Sequence, residues 1–229
     1  MNKATLYGVG IGPGDPELIT LRALRILERC PVIAVPETPR GGTLALDILS
    51  QVVTLRDKRV VHLPFAMTRD REAMARCHQA AVRQLCQLLS EGGDVAVPNL
   101  GDVSIYATFG YLIEPVQQAG YPVQLIPGVP SFCAVAAALG ISLTEANQPL
   151  HLLPGGGEGL QDALRLPGTK VLMKSGRQLP AVKAALQEAG VAGRAMFVQN
   201  CGLPDERIGW SADAMSDDLG YFTTIVVKE

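Results

Sequence analysis

The chain has 229 residues, enough for one large α/β domain or two small ones and too few for three. Hydrophobic residues make up 48% and charged residues 18%, with a net charge of -2, so the chain can build real cores but has no global basic field to draw in nucleic acid or an anionic membrane. Five cysteines (30, 77, 86, 133 and 201) lie far apart without a CxxC pair, which reads as reduced thiols in a soluble, cytoplasmic protein and not as a disulfide framework or a zinc site. The first residues lack the apolar stretch of a signal peptide, and no run approaches the roughly 20 apolar residues of a transmembrane helix.

From Thr5 to Ile126 short apolar runs alternate with helical patterns, the signature of βα units on a largely parallel sheet. Strands are predicted at Thr5–Val9, Val32–Val35, Arg59–Leu63, Asp94–Pro98 and Pro122–Ile126. The clearest helix is predicted over Arg69–Ser90, where Met74, Cys77, Ala81, Leu85 and Leu88 recur at steps of three or four and Gly92-Gly93 ends the pattern. A segment from Pro127 to Ser131 opens a small-residue helix with Ser131 as its N-cap, closed by Gly140. Further strands are predicted at His151–Leu153, Lys170–Met173, Ala195–Val198, Arg207–Trp210 and Phe222–Val227. Only two helices separate them, near Leu160–Leu164 and Leu179–Ala189, so the last strands are expected to be antiparallel and joined by short turns. The expected division is 1–127, with a mainly parallel sheet, and 128–229, with a mixed sheet.

Three segments can carry chemistry. The first strand runs into Gly8-Val9-Gly10-Ile11-Gly12-Pro13-Gly14-Asp15-Pro16, a glycine-rich turn of the kind that meets nucleotide-like ligands. Its spacing fails GxGxxG, because Pro13, Asp15 and Glu17 stand where the last glycine would fall, and no GK[ST] follows. A structural tight turn is the plainer reading. The second segment, Asn99 to Thr108, places Gly101 and Asp102 at the carboxyl end of a parallel strand, where open α/β sheets bind ligands; the plainer role for Asp102 is to cap the next helix. The third, Ile126 to Phe132, again leaves a strand and enters a helix, so loops from one sheet can converge on one ligand.

These blocks, with Val171-Leu172-Met173-Lys174 and the ending Tyr221-Phe222-Thr223-Thr224-Ile225, resemble the tetrapyrrole (corrin and porphyrin) methylases over essentially the whole chain. Within that family, Leu100 to Thr108, the Val171–Lys174 block and Leu203-Pro204-Asp205-Glu206 look most like the branch that methylates carbon 20 of precorrin-2 or cobalt-precorrin-2, and Val103 stands where many other members carry proline. The resemblance implies two αβα domains with the ligand cleft between them, the class III methyltransferase fold. It implies S-adenosyl-L-methionine as cofactor, a tetrapyrrole substrate, a homodimer, and neither nucleic acid nor membrane as partner. By motif position, Pro13, Leu100, Gly101, Asp102, Ile105, Pro130 and Ser131 would hold the cofactor from the first half. Met173 and Cys201 would close over the adenine from the second, with Leu153 and Thr224 beside them. For Met173 and Cys201 the plainer role is core packing.

Asp102 and Tyr106 are the candidates nearest the chemistry, Asp102 as an electrostatic partner or base and Tyr106 as a substrate-positioning side chain. A substrate rich in carboxylates would call on Arg40, Arg69, Arg71, Lys174 or Arg177, although each also reads as a solvated charge. His62, His78 and His151 lack metal-ligand spacing and are expected to be structural, with no metal held by the protein. Within the family, the alternative is another tetrapyrrole methylase, of the uroporphyrinogen III or precorrin-4 type; from outside it, the alternatives are a nucleotide-binding oxidoreductase, which would need an acid after the second strand where only Glu37 stands, and a non-catalytic binding protein.

Overall fold

The computed structural model describes residues 3–36, 43–65, 70–156 and 159–229. They form two compact units, Met1–Pro130 and Ser131–Glu229, dividing three residues beyond the expected boundary after Pro127.

The first unit is a five-stranded parallel sheet of β1 (Leu6–Gly10), β2 (Val32–Pro36), β3 (Arg59–Leu63), β4 (Val95–Asn99) and β5 (Val123–Ile126), in the order β3-β2-β4-β1-β5. Its central strands are apolar at nearly every position, the exception being Asn99 at the end of β4, because both faces are covered. Leu6, Val32, Ala34, Val95 and Val97 pack with α3 (Arg71–Ser90) and α4 (Gly110–Gln118). The alternate residues Tyr7, Val9, Ile33, Val35 and Ala96 pack with α1 (Leu21–Arg29) and α2 (Leu44–Leu49). The chain winds outward from β1 through β2 to β3, then returns through α3 to β4 and passes on to β5. The crossovers therefore change face between β1 and β4, the place where open α/β sheets hold ligands.

Local chemistry sets the ends of these elements. Asp70 caps α3 by accepting from the amides of Glu72 and Ala73, so the helix begins at Arg71 and not at Arg69, which lies outside the described residues. Gly92, with φ of +92°, follows its C-terminus. The glycine of β1 at position 8 leaves room for Phe109, since a Cβ there would lie 2.3 Å from the ring.

The second unit contains α5 (Ser131–Ala138) and a mixed sheet in the order β6-β7-β10-β8-β9, formed by β6 (Leu150–Pro154), β7 (Thr169–Met173), β8 (Ala195–Gln199), β9 (Arg207–Gly209) and β10 (Thr223–Val227). The short α6 (Leu160–Leu164) and α7 (Leu179–Glu188) cover the face carrying Leu172, Phe197 and Ile225. The expected antiparallel pairings are present: β8 with β9, and β10 with both β7 and β8. The expectation of short turns throughout fails, because β10 is reached through the segment 210–222 and inserts into the middle of the sheet. Its sequence Thr-Thr-Ile-Val-Val is buried at every position, which only a central strand can provide. Ser131 is also corrected, since it is the first helical residue of α5 and not its cap; Pro130, with its fixed φ and no amide hydrogen, stands before it. Gly140, at φ +65°, closes that helix as expected.

Candidate functional site

At the carboxyl edge of the first unit's sheet, three loops lock together through backbone. Gly12 and Gly101 form an antiparallel bridge, the Gly101 amide donating to the Gly12 carbonyl at 2.7 Å and the Gly12 amide returning at 3.3 Å. The loop after β5 closes onto both. A Cβ on Gly10 would lie 2.5 Å from the Gly128 nitrogen, and one on Gly128 would lie 2.4 Å from the Gly101 carbonyl oxygen. Gly101 has φ of +72°, a conformation that favours glycine. The glycines thus serve loop-on-loop packing, which is the tight-turn reading extended to three segments.

Asp102 is buried in this junction. Its Oδ1 accepts from the Ser104 amide at 2.8 Å and from the Ser104 hydroxyl, and its Oδ2 accepts from the Gly128 amide at 2.8 Å. Burial pushes its carboxyl pKa up, but the Ser104 and Gly128 hydrogen bonds outweigh that and hold it below the ordinary value. The expected helix cap is not made: α4 begins at Gly110, behind Phe109, with no side-chain cap. Around Asp102, Pro13, Leu100, Ile105 and Pro130 are half-buried. Tyr106 is 43% exposed and sits at φ +50°, a placement that costs a non-glycine residue about 1 kcal/mol or more.

This edge is chemically one-sided. The loops 10–15, 99–106 and 126–130 carry Asp15 and Asp102 and no Lys, Arg or His. The amides of Gly12, Gly101 and Gly128 are already engaged, and α1 starts only at Leu21, capped by Thr20. No basic side chain in these loops awaits a diphosphate and their glycine amides are already engaged, which weakens the support for a dinucleotide. A buried carboxylate beside half-buried apolar side chains suits a ligand with positive charge instead, so the residues fit a sulfonium cofactor.

In the second unit, the carboxyl ends of β6, β7 and β8 and the start of β10 share one edge of the sheet. Met173 ends β7, half-buried, and continuing the β7–β10 register by one residue sets Thr224, 6% exposed, opposite it. Leu153 pairs with Leu172 and packs against the α6–α7 core, on the other face from Met173 and Thr224. Cys201 follows β8 in a loop tied by Asn200 to Asp205 at 2.6 Å and by the Gly202 amide to Glu206 at 2.7 Å. Burial first, then Glu206, pushes the Cys201 thiol up to about 12, so it offers an uncharged sulfur and not a nucleophile. Lys174 and Asn200, one residue beyond β7 and β8, both have left-handed φ, +59° and +53°.

Of the remaining candidates, Arg40, Arg69 and Glu37 lie outside the described residues, Arg71 is exposed at the start of α3, and Arg177 falls in the 3-10 turn Gly176–Gln178. His78 stacks on Tyr111 at 4.5 Å, with burial lowering its pKa, and His151 Nε2 lies 2.9 Å from the Pro167 carbonyl. Ser104 carries no motif of its own, although an acid two residues before a serine is the pattern of a side chain bonding its own turn.

Fold and site together define an α/β protein of two units whose ligand edge is built from glycine-rich strand-to-helix loops with an acid at their centre. The chain matches the Tetrapyrrole (Corrin/Porphyrin) Methylases over residues 5–212, and it belongs to that family. A probable cobalt-precorrin-2 C(20)-methyltransferase of Methanocaldococcus jannaschii is 34% identical over 178 residues, spanning 76% of this chain and 75% of that one. The cobalt-precorrin-2 C(20)-methyltransferase of Salmonella typhimurium is 31% identical over 232 residues, 98% of this chain and 96% of that one. Among solved structures, uroporphyrin-III C-methyl transferase of Thermus thermophilus complexed with S-adenosyl homocysteine shares the fold, with a TM-score of 0.73 at 23% identity over 99% of this chain and 92% of that one.

Proposed function

We propose that the protein is an S-adenosyl-L-methionine-dependent methyltransferase acting at carbon 20 of precorrin-2 or cobalt-precorrin-2 in cobalamin synthesis. The observation that carries the cofactor assignment is the loop junction of the first unit, which combines a buried carboxylate with half-buried apolar side chains and has no cation in its three loops. The choice of carbon 20 is supported by the names of the relatives from M. jannaschii and S. typhimurium.

The cofactor supplies a methyl group already activated on a sulfonium. The chain's part is to hold donor and acceptor in line and exclude water, a contribution that reaches about 7 to 11 kcal/mol in well-oriented reactions. Pro13, Leu100, Gly101, Asp102 and Ile105 hold the cofactor from the first unit, with Pro130 and Ser131 at the third loop. Met173, Cys201 and Thr224 contribute apolar and hydroxyl surface for the adenine, and Leu153 supports them from the core face. Tyr106 positions the substrate, and Arg71 and Lys174 are the described cations that answer its carboxylates. The protein works in the cytoplasm as a homodimer; its five cysteines, all unpaired, suit a reducing compartment. No helix among the described residues is long and apolar enough to cross a membrane.

The test is anaerobic incubation with methyl-labelled S-adenosyl-L-methionine and, separately, precorrin-2, cobalt-precorrin-2 and uroporphyrinogen III, read by mass spectrometry and carbon NMR. One methyl at carbon 20 establishes the reading, and the preferred substrate fixes the metal state. A methyl placed elsewhere, or none, refutes it.

A further inference from the structure

Ser104 is exposed, yet both its amide and its hydroxyl donate to one oxygen of Asp102, whose other oxygen receives the amide of Gly128, 26 residues away in sequence. Two loops that leave different strands are thereby joined through a single carboxylate. Because Gly10, Gly101 and Gly128 touch backbone to backbone, a slackened tie would let the third loop lift from the other two as a unit. A carboxylate whose two oxygens already accept three hydrogen bonds is also a weak proton acceptor.

We propose that Ser104 is a positioning residue for the cofactor site: with Asp102 it ties the loop after β4 to the loop after β5, and Asp102 acts as the centre of that tie and not as a base in the reaction. The inference rests on the cofactor reading for its consequence, while the tie itself concerns only this chain. Asp102→Asn breaks the tie from its centre. Whichever way the new amide is turned, its NH2 group faces a backbone N–H, of Ser104 or of Gly128. Ser104→Ala removes the hydroxyl alone, and Ser104→Thr keeps it.

The experiment measures hydrogen exchange of the Gly128 amide in the protein alone, S-adenosylhomocysteine affinity by calorimetry, and kcat and KM for S-adenosyl-L-methionine. In Ser104→Ala and Asp102→Asn the Gly128 amide exchanges faster, and affinity falls by about tenfold or more, the scale of one lost charge-assisted hydrogen bond. In Ser104→Ala, KM rises while kcat stays within about threefold, since the hydroxyl acts only through the carboxylate it holds. Ser104→Thr restores the wild-type values. Unchanged exchange at Gly128 in Asp102→Asn overturns the tie, and a collapse of kcat with unchanged affinity makes Asp102 a base and overturns the assignment. Failure of the wild-type protein to bind S-adenosylhomocysteine refutes the functional reading and the cofactor half of this one, whereas the exchange contrast still judges the tie.

Discussion

Replacing Gly128 by alanine tests the loop junction with a single methyl group. Gly128 does not lie in the left-handed region, so alanine meets no conformational penalty there and the cost is steric. The added Cβ would stand 2.4 Å from the Gly101 carbonyl oxygen, 2.6 Å from the Gly10 carbonyl carbon and 2.8 Å from its Cα. All three neighbours are backbone, so none can swing away like the end of a side chain, and the loop must lift. Overpacking costs about 1 to 3 kcal/mol, and a stretched Gly128 bond to a charged carboxylate adds about 1.5 kcal/mol or more, giving about 3 kcal/mol in all. For a chain of this size that corresponds to a fall in Tm of about 6 to 12 °C. The control is Gly110→Ala at the start of α4, where nothing lies within 4 Å and φ is ordinary. It should leave Tm unchanged or raise it slightly through helix propensity. The assay is scanning calorimetry of both variants, with S-adenosylhomocysteine titration alongside. A Gly128→Ala protein melting within 2 °C of wild type, with unchanged affinity, would refute the close-packed junction.

Three other perturbations follow from the same geometry. The Asp102 carboxyl is held below the ordinary value of 3.8, so its bonds stabilise the fold above that pH and the contribution disappears as pH falls through the folded value; protection of the Gly128 amide should therefore be full at pH 5 and lost in stronger acid, and a loss already at pH 6 would contradict it. Lys170 is buried at 3% exposure with its nearest acid, Glu229, 4.0 Å away, and burial holds its pKa below 10.5; stability should rise as pH climbs from the folded value toward 10.5, and Lys170→Met, which removes the charge, should flatten that rise and leave the protein as stable or about 1 kcal/mol more so at pH 7, as denaturant titration would show. Burial, then Asp94, pushes the Cys30 thiol up to about 12, and Cys201 is pushed as high, so at pH 8 a disulfide reagent followed by peptide mass spectrometry should find exposed Cys133 modified first and Cys30 untouched; early labelling of Cys30 would mean the α1–β2 junction opens.

Much of the first unit was legible because its signals are local. Alternating apolar runs and helical stripes gave its five strands and α3, and glycines after strands marked where loops turn. Helix α4 was harder to see, since Pro115 interrupts its pattern and Phe109 gives no capping side chain. In the second unit the antiparallel pairings followed from the shortage of helices, but the central place of β10 depended on competition among strands for burial. The motif blocks identified the family and named Asp102. They could not say that its carboxylate faces Ser104 and Gly128, because hydrogen bonding between residues 26 apart exists only once two loops have been brought together by the sheet. Leu153 illustrates the same limit, since one step of strand register decides whether it lies with Met173 or in the helical core. The sequence by itself therefore determined which segments become strands, which loops carry glycine and acid, and which family the chain joins. Only the tertiary structure decided what those glycines touch and what the acid holds, because contacts between loops are set by the sheet order that places their strands side by side.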